Sequence, residues 1–500
     1  MILFFATLFV AFGSTWQQPS SEILDVLHAP GLPWVWSNPN GSHLLLAQPV
    51  KYPPLADRAA TMHELAGIRV DPNTNGFHAT TGATSPQILS TAEGSSSVDL
   101  ALPEGLRLID VDWAVDGRRF AITVLDKDHL GLWVGDVDGS LAEIPNLSLN
   151  PLLRSTVSWM PDQQRLVVKA IARGGAVPTP PIIPAGPTIK EGDGDSARST
   201  YESRNLLRTA YDEALFTYYC TSQVAIVDPI AKTFEEVGQP DVYSTVSASP
   251  DGKYFLVERL IPPWSHDVAW WRFAHEVQVW TVKGEKTTTI ASLPLANEVP
   301  IHGVPEGPRS VSWRSTTKAA LIWIEALDGG NPVTEATHRD KLMYLKAPFK
   351  GKAEEVFRAQ HRIRGWSWTP KGGTAVVYQR ERERRWRHVW LLDVDKGAKS
   401  ARAWFDLSEK DRYNDPGYAV SAPMPNGRWV LRQEGDHLFF RGQGGTPGGD
   451  RPFLDRRSMK TGETKRLFRS TDDTYERFVA FVGDDSSTFL IRRESPTEVP

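Results

Sequence analysis

The sequence predicts an all-β protein, a β-propeller of seven or eight four-stranded blades, with eight favoured. Two observations lead to this prediction: a short phrase recurs along the chain, and few stretches have a helical pattern. The clearest copy is SASPDGKYFLV at residues 247–257, a polar turn followed by a hydrophobic strand. Self-similarity of this kind is the sequence signature of a repeat architecture. Further copies lie near residues 36, 113, 158, 312, 367, 423 and 482.

Each copy is followed by segments that read as the other strands of a blade. In residues 118–124 hydrophobic and small or polar side chains alternate, as in a half-buried strand, and residues 132–139 form a partner strand that ends in an Asp-Gly turn. The later copies are spaced about 55 to 60 residues apart, which leaves room for four short strands and their turns. The first copy could instead complete the last blade as a closing strand, and seven blades would then remain.

The predicted propeller domain spans residues 20–500. The wide gap between the third and fourth copies contains a segment rich in Pro and Gly at residues 174–196, which we interpret as an extended surface loop. Two stretches, residues 55–69 and 201–216, are compatible with helices. Tryptophans recur at the end of the first strand of a repeat, just before the polar turn. Their wide rings are expected to fill the wedge-shaped space between neighbouring blades.

Composition excludes several classes of partner and site. The formal net charge is −4 and the basic residues are scattered, so nucleic acid is not expected as a partner. The single cysteine, Cys220, excludes an intramolecular disulfide and is expected to be a small buried residue. The basic run at residues 380–388 is interpreted as a solvated hairpin, with a patch for an anionic ligand as the alternative.

Residues 1–13 are almost wholly apolar and resemble the hydrophobic region of a secretory signal. They are too few to span a bilayer comfortably, so no stable membrane span is expected. The protein is therefore predicted to be periplasmic or secreted.

The sequence contains no recognisable catalytic, metal or cofactor motif. Gly-x-Ser-x-Gly, phosphate-binding loops and zinc signatures are absent, and the twelve histidines are scattered. We therefore expect no catalytic residue, no metal site and no cofactor.

Several longer phrases resemble the N-terminal propeller of prolyl-oligopeptidase-type serine peptidases, in particular the glutamyl endopeptidase-like branch. They cover nearly all of the chain after residue 20 and lie at residues 65–76, 211–219, 299–311, 323–330, 411–417 and 493–498. The resemblance implies that an α/β-hydrolase domain with a Ser, Asp and His triad follows such a propeller. Because the sequence ends at Pro500, no residue matches the triad, and this chain is expected to be inactive by itself.

The resemblance implies that the propeller covers the hydrolase site and filters peptide substrates. A preference for Glu would require cationic side chains, since Arg binds carboxylates through bidentate hydrogen bonds. The candidates are Arg259, Arg272 and Arg309, for which a structural ion pair is the alternative. The alternative function is a self-sufficient propeller that binds peptides, glycans or a protein. An exposed apolar patch would favour the peptidase propeller, whereas an evenly polar surface would favour the binding module.

Overall fold

The structure is a computed structural model that describes residues 18–154, 156–172, 174–182 and 203–497. The predicted signal at residues 1–13 and residues 183–196 of the predicted loop lie outside the described residues. Residues 174–182 contain neither helix nor strand, as expected for the start of that loop.

Strands dominate the described part of the chain. The first half contains β1 (Trp34–Ser37), β2 (His43–Pro49), β3 (His63–Leu65), β4 (Ile68–Asp71), β5 (Gly76–Phe77), β6 (Ala83–Ser90), β7 (Ser97–Asp99), β8 (Arg107–Trp113), β9 (Arg119–Leu125), β10 (Leu130–Asp136), β11 (Leu141–Glu143), β12 (Val157–Trp159), β13 (Leu166–Ile171), β14 (Ser222–Asp228), β15 (Thr233–Asp241), β16 (Tyr243–Ala248), β17 (Tyr254–Leu260), β18 (His275–Thr281) and β19 (Lys286–Leu293).

The second half continues the same pattern. It contains β20 (Arg309–Trp313), β21 (Ala320–Ala326), β22 (Asp340–Lys346), β23 (Glu354–Ala359), β24 (Arg362–Trp368), β25 (Thr374–Glu381), β26 (Trp386–Asp393), β27 (Arg402–Ser408), β28 (Tyr418–Ala419), β29 (Ser421–Pro423), β30 (Trp429–Leu431), β31 (Gln433–Glu434), β32 (His437–Gly442), β33 (Gly445–Thr446), β34 (Gly449–Asp450), β35 (Phe453–Ser458), β36 (Thr464–Arg469), β37 (Tyr475–Phe481) and β38 (Phe489–Glu494). The helices are α1 (Ser21–His28), α2 (Leu55–Ala59) and α3 (Ala210–Cys220), with 3₁₀ turns at Trp270–Arg272 and Ala398–Ser400.

These strands form successive antiparallel sheets, which we number in chain order. Sheet 1 is β1-β2-β6-β7, and one residue pair joins its β6 to β8 of sheet 2, β8-β9-β10-β11. Sheets 3 to 6 are β12 to β15, β16 to β19, β20 to β23 and β24 to β27. Sheet 7 is β28-β32-β35-β36 with the pair β29-β30, and sheet 8 is the pair β37-β38. Several four-stranded antiparallel sheets are consistent with propeller blades, while the number of blades stays a prediction.

The recurring phrase forms the turn between the first two strands of a sheet. In sheet 4 the Ser249 hydroxyl donates to the Asp251 carboxylate at 2.6 Å and accepts from the backbone N–H of Tyr254 at 3.0 Å. Gly252 has φ +68°, a conformation that favours glycine. The polar residues of the phrase therefore form the hydrogen bonds that stabilise the turn, and the hydrophobic residues that follow form β17.

Hydrophobic clusters lie between consecutive sheets. One cluster joins sheets 3 and 4 through Met160, Val224, Phe255 and Trp280, and comparable clusters join each other consecutive pair from sheets 1 and 2 to sheets 7 and 8. Face-to-face packing of this kind buries both faces of an inner sheet, which is what radial repetition of blades requires.

The two predicted helices differ from the observed ones. Residues 55–69 form only the short α2 and then the hairpin β3-β4, because Ala66 and Gly67 take positive φ angles of 48° and 95° that reverse the chain. The second helix begins nine residues later than predicted, at Ala210, where Thr209 and Asp212 form a capping box. Cys220 is buried and free, as expected. No helix in the described ranges is long and apolar enough to cross a membrane.

Candidate functional site

The turns of several sheets meet around a cavity of about 410 Å³, which we call the turn cavity. Its wall comes from the turns or strand ends of sheets 1, 2, 3, 4 and 7, and consists of Trp36, Ser37, Pro39, Val111, Asp112, Trp113, Val115, Ser158, Trp159, Pro161, Gln163, Ser247, Ala248, Pro423, Asn426, Gly427, Arg428 and Trp429. Copies of one phrase thus supply most of this wall.

Hydrogen bonds between neighbouring turns fix the wall. The Trp159 indole N–H donates to the carbonyl of Asp112 at 2.9 Å, and the Trp313 indole N–H donates to the carbonyl of Ser247 at 3.0 Å. The Asn38 amide donates to the carbonyl of Gly117 at 2.7 Å. Recurring tryptophans therefore fasten one sheet to the previous one as well as contributing apolar surface.

The turn of sheet 7 reaches the turns of sheets 3 and 4. Asn426 donates from its amide to the carbonyl of Pro250 at 3.4 Å. A Cβ placed on Gly427 would lie 2.4 Å from Nε2 of Gln163, so only a glycine allows this approach without displacement. The segment 423–429 therefore closes one side of the turn cavity.

Arg428 is a cation in the wall of the turn cavity without a partner of opposite charge. Within the described residues its guanidinium makes neither a hydrogen bond nor an ion pair, whereas Arg118, at the equivalent place in the turn of sheet 2, pairs with Asp136 at 2.9 Å. Burial lowers the pKa of Arg428 to about 10, so the group stays charged at neutral pH. A partly buried guanidinium without a partner is suited to bind a carboxylate from outside the chain.

Asp112 contributes an acidic group to the same wall. Burial, helped by the neighbouring charge of Asp110, raises the pKa of Asp112 to about 6. The turn cavity therefore combines a permanent cation with a carboxyl group that titrates near neutral pH.

The three predicted substrate-binding arginines lie elsewhere. Arg259 in β17 pairs with Asp241 at 3.1 Å, and Arg309 in β20 pairs with the fully buried Asp340 at 2.5 Å. Arg272 lies in a 3₁₀ turn and donates to the carbonyl of Ala296 at 3.4 Å. The structure does not bring the three together at the turn cavity, and their role in substrate binding stays a prediction.

Sequence reasoning missed Arg428 and Asp112. Arg428 follows the glycine of a recurring phrase, where Lys253 and Arg118 stand in other copies. The sequence therefore places Arg428 in a turn. It does not show that Arg428 lacks an acidic partner, because that depends on contacts with distant sheets.

A second cavity, of about 710 Å³, lies between sheets 1, 7 and 8, and we call it the sheet-8 cleft. Its lining is largely apolar and includes the exposed side chains of Leu32, Val35, Tyr418 and Ile491. In the chain before β1, helix α1 buries none of its residues and exposes Ile23, Val26 and Leu27. Apolar surface of this extent is typical of an interaction site.

Two groups of side chains in the described part of the chain have ligand atoms close enough to hold a metal ion, and both lie away from the turn cavity. They are His361, Glu381 and His388, and Asp126, Asp128 and His129.

Comparison with known proteins identifies relatives of the whole chain. It is 32% identical over 518 residues to a probable glutamyl endopeptidase of chloroplasts from Oryza sativa subsp. japonica, covering 97% of this chain and 55% of the relative. It is 31% identical over 524 residues to the corresponding protein of Arabidopsis thaliana, covering 98% and 54%. The chain thus spans about half the length of the curated relatives it matches. No protein-family model matches.

The solved structures that match this backbone include two enzymes. The acylaminoacyl peptidase of Pyrococcus horikoshii is 11% identical with a TM-score of 0.39, over 92% of this chain and 57% of that chain. The oligogalacturonate lyase of Vibrio parahaemolyticus is 9% identical with a TM-score of 0.40, over 80% and 93%. The relationship that the sequences establish is homology to about half of the length of two probable glutamyl endopeptidases.

Proposed function

We propose that this chain, a homologue of glutamyl endopeptidases, is the substrate-gating propeller of a serine endopeptidase and is not catalytic by itself. In this proposal the eight sheets are eight blades around a central channel, and the turn cavity lies at one end of that channel. Peptides are selected there before they reach a hydrolase domain that carries the Ser, Asp and His triad.

The observation that carries the proposal is the unpaired guanidinium of Arg428 in the turn cavity. A Glu side chain of a peptide would supply the carboxylate that Arg428 lacks within the described residues. The cavity wall also contains four tryptophans and three prolines, which offer apolar surface to the remainder of the peptide. Glu-directed specificity follows from this pairing.

The sheet-8 cleft and α1 support an α/β-hydrolase domain as the partner. Exposed apolar side chains in both places would be covered if such a domain docked there. A self-sufficient binding module would be expected to expose a more evenly polar surface, so this feature favours the peptidase propeller.

Peptide binding tests the proposal. We expect a fluorescently labelled peptide with a central Glu to bind the purified chain, and Arg428→Gln to weaken binding by about tenfold or more, since hydrogen bonds to charged groups contribute about 1.5 to 3 kcal/mol. The measurement is fluorescence anisotropy at fixed ionic strength.

The matched control is Arg118→Gln, which changes the same residue type at the equivalent turn position and is expected to leave binding unchanged. The proposal fails if Arg428→Gln and the unaltered chain bind the peptide equally. It also fails if a peptide with Gln in place of Glu binds as tightly as the original.

A further inference from the structure

The basic run at residues 380–388 contributes Glu381 and His388 to one face of sheet 6, where His361 joins them. In the register of this sheet Arg362 lies opposite Arg380, and Gln379 lies opposite His388. His361, one residue before β24, therefore lies level with Glu381 at the end of β25. Because residues two apart in a strand share a face, Glu381 lies on the side of β25 that carries Gln379 and its neighbour His388.

The three side chains are in close contact. Oε2 of Glu381 lies 3.3 Å from Nε2 of His388 and 3.8 Å from Nε2 of His361. The two imidazole rings are stacked, with centroids 4.7 Å apart and planes 9° from parallel. The side chains are largely but not fully buried, at 27% exposed for His361, 18% for Glu381 and 19% for His388.

We propose that His361, Glu381 and His388 form a binding site for a divalent transition metal ion, Zn²⁺ in the first place. Two imidazoles and one carboxylate are a ligand set that Zn²⁺ prefers, with the remaining position open to water. Tetrahedral coordination at bond lengths of about 2.0 to 2.1 Å requires ligand atoms about 3.3 Å apart. The Glu381–His388 separation already meets this value.

Small side-chain movements complete the site. The ligand atoms all lie within 4.8 Å of one another, so His361 must approach by about an ångström and the stacked rings must tilt toward a common point. The carboxylate of Asp406, 3.9 Å from Nδ1 of His388, is placed to orient that ring from the opposite side.

Neighbouring charges set the strength of binding. Arg384 opposes the metal, because its guanidinium bonds to the same oxygen of Glu381 at 3.1 Å, and Arg339 adds a further positive charge nearby. Arg384 is 60% exposed and can move into solvent when the ion binds.

Calorimetric titration of the chelator-treated chain with ZnCl₂ at pH 7.5 tests the site. We expect one ion bound per chain, and a loss of affinity of at least about tenfold in His361→Ala and in His388→Ala, because loss of a ligand costs no less than loss of its supporting partner. Arg384→Ala is expected to tighten binding, since it removes the competing cation. Circular dichroism of each variant confirms that the fold is retained.

His129→Ala is the matched control, because it removes a histidine from the other group of potential ligands in the described chain. It is expected to leave the affinity unchanged. The proposal is overturned if the unaltered chain binds no Zn²⁺ at micromolar concentration. It is also overturned if binding survives both His361→Ala and His388→Ala, or is lost in His129→Ala.

Discussion

Two arginines at equivalent turn positions differ in whether the fold places an acidic partner beside them. Arg118 and Arg428 follow glycine in equivalent turns, yet Arg118 is paired with Asp136 and Arg428 faces a cavity without a partner among the described residues. The repeated phrase fixes the backbone of each turn, and the side chain after the glycine is free to vary. Specific binding can therefore arise at single positions without any change in architecture.

Asp112 provides a test at the scale of one residue. The raised pKa of Asp112, about 6 against about 3.9 in an unfolded chain, means that the folded state favours the protonated carboxyl. Its contribution to stability is fully present below about pH 4 and is lost as the pH rises through 6. We therefore expect Asp112→Asn to raise the melting temperature at pH 8 and to change it little at pH 4.

Asp25→Asn is the control for this prediction, because Asp25 is exposed in α1, outside the turn cavity. Differential scanning fluorimetry at the two pH values measures the effect. An equal change of melting temperature at pH 4 and pH 8 in Asp112→Asn would show that Asp112 is not held protonated by the fold.

Lys169 gives a second prediction at this scale. Its fully buried ammonium donates to the carbonyls of Leu152, Leu153 and Tyr243 at 2.8, 2.9 and 3.3 Å. Lys169→Met keeps most of the length of the side chain but leaves these carbonyls unsatisfied, so we expect a loss of about 2 kcal/mol or more in unfolding free energy. Urea unfolding checks this, and an unchanged midpoint would show that the carbonyls find other partners.

At the scale of elements, the turn of sheet 1 contacts the turn of sheet 8. The backbone N–H of Gly483 donates to the carbonyl of Asn40 at 2.8 Å, and a Cβ on Gly41 would lie 2.2 Å from the carbonyl oxygen of Phe481. The first and last sheets in the chain therefore meet, and this contact depends on glycine.

Comparing Gly41→Ala with Gly372→Ala distinguishes the stability cost of disturbing this contact from the cost of a positive φ angle alone. Their φ angles are +69° and +70°, but nothing lies within 4 Å of a Cβ on Gly372. We expect Gly372→Ala to cost about 1 to 2 kcal/mol from its left-handed backbone alone, and Gly41→Ala to cost clearly more. Chemical unfolding of both variants decides this, and equal losses would mean that sheets 1 and 8 do not depend on the close approach.

Some elements could be predicted from the sequence and others could not. The turn phrase and the alternating strands could be predicted because each depends only on the local order of polar and hydrophobic residues, as in residues 247–257. The hairpin β3-β4 could not, since its turn at Ala66 and Gly67 interrupts a pattern with helical spacing. The turn cavity and the cluster of His361 with His388 depend on pairing between separate strands, which no spacing along the chain reveals.

At the scale of the whole molecule, the sheet-8 cleft is the main apolar feature that the proposed partner domain would cover. Ile491→Glu places a charge on a side chain that is 39% exposed in the cleft, so we expect reduced fluorescence of a bound apolar dye with little change in stability. Ile230→Glu is the control, because Ile230 is 79% exposed outside the cleft. Equal dye fluorescence in all three proteins would show that the cleft is not an accessible apolar surface.

The central claim is that this chain selects peptides but does not cleave them. The most direct test is hydrolysis of a fluorogenic Glu-containing peptide by the purified chain, with and without a serine-reactive phosphonate. The account predicts no turnover that the phosphonate can abolish. Turnover by the purified chain that the phosphonate blocks would contradict it, because it would place a working nucleophilic serine within these 500 residues.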